Sequence, residues 1–111
     1  MKFKAINKNK EFIRGYKKGT STVTPMFVSY VLKNRYGHTR IGITASKKIG
    51  CAVKRNRARR VIREALRSLD LDMSQNWDII LVARSKTARA KSYEVAPLLK
   101  QRLTEAGVIN A

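Results

Sequence analysis

Residues 47–63 hold eight lysines and arginines and not one acid. No other feature restricts the fold as much. So many like charges in a short span oppose burial, so the segment must keep a charged face in water or against an anion. Yet an apolar stripe runs through it and beyond: Ala58, Val61, Ile62, Ala65, Leu66 and Leu69 recur at helical spacing. The segment therefore reads as an ordered helix rather than a disordered basic tail. One face docks on a core while the other displays cations. That arrangement holds a polyanion in a defined orientation.

The rest of the chain supports an ordered domain. It has 111 residues, 43% of them hydrophobic, which is enough for one domain with a real core. Its net charge of +18 strains any compact state unless a polyanion neutralises it. Nucleic acid is the first partner class and an anionic membrane surface the second. The apolar runs are only a few residues long, too short to span a bilayer. The basic start, Lys2 and Lys4 around Phe3, lacks the apolar centre of a signal peptide. The single Cys51 excludes an internal disulfide framework and points to a reducing, cytoplasmic setting.

Charge is unevenly spread. Residues 12–63 carry no acid and 14 of the 25 basic residues. From Glu64 onward seven basic residues face six acidic ones. The first part reads as the binding face and the second as scaffold.

Periodicity predicts an α/β domain, in two layers, with the order helix, three strands, helix, strand, helix. Residues 8–17 form the first helix, with Phe12 and Tyr16 on one face; Gly15 weakens it and Gly19 ends it. Strands follow at 20–23, 26–33 and 40–45. In the last of these, Ile41, Ile43 and Ala45 alternate with Arg40, Gly42 and Thr44. The basic helix spans 52–69. Arg60, Arg63 and Arg67 lie opposite its apolar stripe, while Arg55 and Arg59 flank the stripe's edge. Residues 77–83 are apolar enough for a central strand. The last helix covers 92–106, with Val95, Ala96, Leu99, Leu103 and Ala106 as its stripe. Pro97 either marks the first turn of a late-starting helix or bends it.

The run from Gly42 through Ser46, Lys47, Lys48, Ile49 and Gly50 to Arg55-Asn56-Arg57 and Arg59-Arg60-Val61-Ile62-Arg63-Glu64 resembles the protein subunit of bacterial ribonuclease P. Asn9-Lys10-Glu11-Phe12 through Gly19, Phe27-Val28-Ser29-Tyr30 and Trp77 through Arg84 extend the resemblance over nearly the whole chain. Two departures stand out. The family usually has Asn where this chain has Cys51, and a larger aliphatic residue where it has Ala58. The first weakens a local cap or RNA contact; the second reduces packing on the helix by about 1–2 kcal/mol of side-chain burial.

The resemblance implies a specific role. Ribonuclease P removes the 5′ leader of precursor tRNA with a catalytic RNA that uses magnesium. The small protein binds that RNA through the Arg-Asn-Arg helix, binds the single-stranded leader between the first helix and the sheet, and broadens the substrate range. It implies a four-stranded sheet with a left-handed strand-helix-strand crossover, a cytoplasmic location, no metal on the protein alone, no membrane and no further protein partner.

The residues agree with two RNA sites. Single-stranded RNA stacks its bases on aromatic rings beside a basic groove, for which Phe12, Tyr16 and Tyr30 are candidates; each also suits a core position. Arg14, Lys17, Lys18 and Arg40 are candidate phosphate contacts for the leader. Folded RNA is met through its phosphates, which suits Lys47, Lys48, Lys54, Arg55, Asn56, Arg57, Arg59, Arg60 and Arg63. Phe27 and Trp77 read as core, and Lys2, Lys4 and Lys86 as solubilising charge.

Catalysis by the polypeptide finds little support. His38 is the one histidine, and Asp70 and Asp72 are the only close acid pair, at the helix end. Cys51 has no second cysteine for a cysteine-rich zinc site, and no glycine-rich phosphate loop occurs. Two other classes compete: a structural RNA-binding protein such as a ribosomal component, and a membrane-surface protein. The alanine-rich apolar stripe of the basic helix argues against the membrane.

Overall fold

Trp77–Ala83 is apolar at nearly every position because it lies in the middle of the sheet, covered on both faces. The computed structural model describes residues 4–6, 8–71 and 74–109. Along the chain lie β1 (Lys4–Ala5), α1 (Asn9–Lys18), β2 (Thr20–Val23), β3 (Phe27–Lys33), β4 (Arg40–Ala45), α2 (Ala52–Leu69), β5 (Trp77–Ala83) and α3 (Ser92–Glu105). The strand order is β1-β4-β5-β3-β2. β3 pairs antiparallel with β2 and β5, while β4 pairs parallel with β5 and β1. Parallel neighbours need a long connection, and α2 supplies it between β4 and β5.

Side-chain alternation assigns the two sheet faces. Phe27, Val31, Ile41, Ile79 and Leu81 point to one face, where α2 covers them with Ala58, Val61, Ile62, Ala65 and Leu66. Val95, Leu99 and Leu103 of α3 complete this core and are fully buried. Register places Tyr30, Ile80 and Gly42 in one row across the opposite face, where α1 lies. Val28, Val82 and Thr44 form the next row and stay half-buried.

The expected α/β architecture forms, with the four strands and three helices read from periodicity. The two-residue β1 adds a short edge, too brief for a period-two pattern to reveal. It is held by pairing with β4 and by the Ile6 amide donating to the Ile41 carbonyl at 3.0 Å. Pro97 does not mark a late start: α3 begins at Ser92 and runs through Pro97. The missing N–H removes one intrahelical bond, and Pro97 itself is exposed. Asp70 ends α2 in a left-handed conformation (φ 49°), while Asp72 lies outside the described residues.

Candidate nucleic-acid interface

The cation array on α2 takes shape from its spacing. Ala58, Val61, Ile62, Ala65 and Leu66 are buried, so Lys54, Arg57, Arg60 and Arg63 are turned to solvent. Arg55 and Arg59 are half-buried at the edge of the apolar stripe. Asn56 is exposed, and its Oδ1 accepts from Arg59 Nη1 at 2.7 Å, so the asparagine orients an arginine one turn away. Lys47 and Lys48 sit in a 3-10 turn just before α2, with Ser46 Oγ accepting from the Lys48 amide at 3.2 Å. None of these cations forms an ion pair among the described residues. They are therefore free to meet external phosphates.

The second set lies across the sheet, under α1. Phe12 is half-buried over Gly42: a Cβ at Gly42 would come within 2.8 Å of its ring. Gly15 is as tight, since a Cβ there would meet Ile80 Cδ1 at 2.2 Å. These two glycines let α1 lie close on the strands, so Gly15, a weak helix former, has a packing reason to be there. Tyr16 meets Tyr30 edge-on at 4.9 Å between ring centroids and Phe12 at 6.4 Å. Tyr30 is half-buried, whereas Tyr16 is 41% exposed and offers the most open ring of the three. Burial, followed by the neighbouring Tyr30, holds the Tyr16 hydroxyl above its ordinary pKa, so it stays neutral. Arg14, Lys17 and Lys18 are exposed on the outer side of α1.

Arg40, expected as a phosphate contact for the leader, is ion-paired within the protein. Its Nε and Nη2 donate to Asp78 Oδ1 and Oδ2 at 3.0 and 2.8 Å, and its Nη1 pairs with Glu11 Oε2 at 2.6 Å. Tyr36 stacks on the guanidinium at 4.0 Å. Both carboxylates raise its pKa, the Asp78 hydrogen bond first. Arg40 thus ties α1 to β4 and β5. Phe27 is fully buried as expected, and Trp77 is half-buried against the core.

Cys51 stands at the N-cap of α2 and its side chain makes no capping hydrogen bond. Its thiol is exposed, and its pKa is lowered chiefly by the Lys54 backbone N–H, with the Val53 N–H and the Lys54 charge adding to it.

The structure also brings in residues that the sequence reading left aside. Arg84 Nη1 donates to the Thr24 carbonyl at 2.9 Å, and the Thr87 hydroxyl donates to the Met26 carbonyl. These bonds fasten the segment after β5 to the turn before β3. A cleft of about 520 Å³ results, lined by Met26, Ser46, Lys48, Arg84, Lys86 and Arg89. A second, of about 360 Å³, joins Lys48 and Arg89 to Lys54 and Arg57. Lys86, read from the sequence as solubilising charge, lines the first of these clefts with Lys48, Arg84 and Arg89 and one acid, Glu94. The signal was present: residues 79–93 contain four basic residues and no acid.

No described helix is long and apolar enough to cross a membrane. The family described as Ribonuclease P matches residues 1–107. The ribonuclease P protein component of Clostridium botulinum (strain 657 / Type Ba4) is 39% identical over 111 residues, covering 99% of this chain and all of that one. That of Exiguobacterium sibiricum is 38% identical over 104 residues, covering 93% of this chain and 90% of the relative. Among solved structures, the Staphylococcus aureus RNase P protein superposes with a TM-score of 0.80 at 37% identity, covering 98% of this chain and all of that chain. The Thermotoga maritima RNase P protein gives a TM-score of 0.77 at 26% identity, covering 92% and 96%. A solvent-facing cation array on a core-anchored helix, matched from end to end in sequence and fold, shows that the chain belongs to the ribonuclease P protein family, the protein subunits of the RNA-based endoribonuclease that processes tRNA 5′ ends.

Proposed function

We propose that the two faces of the sheet divide the RNA contacts of the subunit. The exposed side of α2, with Lys47, Lys48, Lys54, Arg57, Arg60 and Arg63, takes the phosphates of the catalytic RNA. Arg55, Asn56 and Arg59 set the edge of that surface. The α1 face takes the single-stranded 5′ leader of precursor tRNA. Phe12, Tyr16 and Tyr30 supply aromatic surface, the half-buried row of Val28, Val82 and Thr44 forms an open floor, and Arg14, Lys17 and Lys18 supply charge. Arg40 is a positioning residue for α1. The observation that carries this reading is the α2 array, whose cations have no ion-pair partner among the described residues.

The polypeptide assists and the RNA performs the cleavage. Glu11 and Asp78, the two acids beside the α1 face, are both committed to Arg40. Among the described residues no three His, Cys, Asp or Glu side chains converge. These side chains do not fit a magnesium site of their own, and we assign the metal to the RNA partner. This role belongs in the cytoplasm, with no further protein partner.

Reconstitution tests the reading. Protein mixed with the RNA subunit and magnesium should remove the leader, and protein purified free of RNA should not. Cleavage by the free protein would overturn the division of labour. Phe12→Ala and Tyr16→Ala should weaken binding of leader-bearing substrate by about 5-fold or more, with little change for mature tRNA. Equal losses on both would indicate a folding defect instead.

A further inference from the structure

We propose that the cleft between α2 and the first turn of α3 holds one unpaired nucleotide of the RNA partner, with its base on Tyr93 and its phosphate on Arg57 and Arg60. The inference rests on the reading that α2 meets the catalytic RNA, and it adds a site on α3 that the resemblance does not assign.

Three observations converge there. The cleft has a volume of about 570 Å³ and is lined by Val53, Asn56, Arg57, Arg60, Lys91 and Tyr93, among others. That size lies within the roughly 300–1,000 Å³ typical of small-ligand sites, so it suits a nucleotide rather than a duplex. Val53 and Tyr93, 77% and 74% exposed, are the two most exposed large hydrophobic residues described. Single exposed apolar residues need no explanation, but these two, from different elements, share one cleft. The third observation is charge. Arg57, Arg60 and Lys91 form no ion pair among the described residues, and Glu64 is the one acid of the lining.

The chemistry narrows the occupant. A free aromatic face beside a small apolar wall recognises the flat face of a base, and adjacent guanidiniums recognise its phosphate. A base inside a duplex is covered on both faces by its stacked neighbours, so the nucleotide must be an unpaired one that has left the stack. A lipid surface would call for a broad apolar face, whereas α2 exposes only Val53 and the small Ala52 among its cations.

The test uses the full chain and the catalytic RNA. Tyr93→Ala should weaken RNA binding by about 5-fold or more, while Tyr93→Phe, which keeps the ring, should bind like the parent. Thermal melts of both should match the parent, since the side chain is exposed. Tyr93→Trp should add emission that the RNA quenches, beyond any change at Trp77. Parent-like binding by Tyr93→Ala, with Arg57→Ala still weakened, would overturn the nucleotide site and leave the α2 reading standing. Unchanged binding in both variants would overturn the α2 reading as well. Binding to vesicles of anionic phospholipid that depends on Tyr93, with RNA affinity unaffected by the substitution, would assign the cleft to a membrane and also overturn the proposal.

Discussion

Arg40 shows how much a single side chain can be redirected by its neighbours. Its spacing in β4 puts it on the α1 face, as alternation predicts, but Asp78 and Glu11 arrive from distant parts of the chain and capture it. Asp78 is 7% exposed and also accepts from Asn34 Nδ2 at 2.7 Å. Arg40→Ala would leave that carboxylate buried without its cation. The expected loss of stability is about 2–3 kcal/mol by urea denaturation, below the range for fully buried pairs because solvent reaches part of the cluster. Arg40→Lys should recover only part of it, since an ammonium cannot bridge two carboxylates as a planar fork does. Cys51 is the opposite case, a capping position filled by a thiol, whose sulfur is a weak acceptor for the first-turn amides. Cys51→Asn should supply a stronger acceptor for these amides and raise Tm by roughly 3–6 °C. The same amides stabilise the thiolate, so alkylation of Cys51 should reach half its maximal rate below the pH of an ordinary thiol. A midpoint at or above the ordinary value would show that the amides do not reach the sulfur.

At the scale of the element, α2 is two surfaces on one helix. Its apolar side was legible from the sequence because burial imposes a 3.6-residue period. Its charged side was legible because so many arginines without acids have no stable alternative to solvent or an anion. Arg57→Ala or Arg60→Ala should weaken binding to the catalytic RNA and flatten the dependence of log K on log salt by about one unit each. An unchanged slope would mean that the substituted side chain meets no phosphate. What the helix period does not reveal is which other elements border the cation face. Arg89 and Tyr93 reach it only because α2 packs beside α3 and the segment after β5 is fastened to the turn before β3.

The whole molecule carries +18 on 111 residues, and this charge acts on the folded state as a unit. Self-repulsion should make the free protein more stable as salt rises from low concentration, because screening weakens it. A Tm that stays flat between about 10 and 200 mM salt would show that the charges are too dispersed to matter. Adding the catalytic RNA at low salt should raise Tm further, by linkage to binding.

The sequence by itself determined the order of the three helices and four longer strands, the two faces of β4, the apolar stripes of α2 and α3, and the class of partner. These follow from local periodicity and net charge, which need no knowledge of distant contacts. Only the tertiary structure decided the two-residue β1, the capture of Arg40, and the clefts that join Lys48 to Arg89 and Arg57 to Tyr93. Each depends on residues far apart in the chain that the sheet brings together, so none leaves a local pattern to read. Gly15 belongs to both. As a residue it weakens a helix, and only the approach of Ile80 beneath it explains why α1 tolerates it.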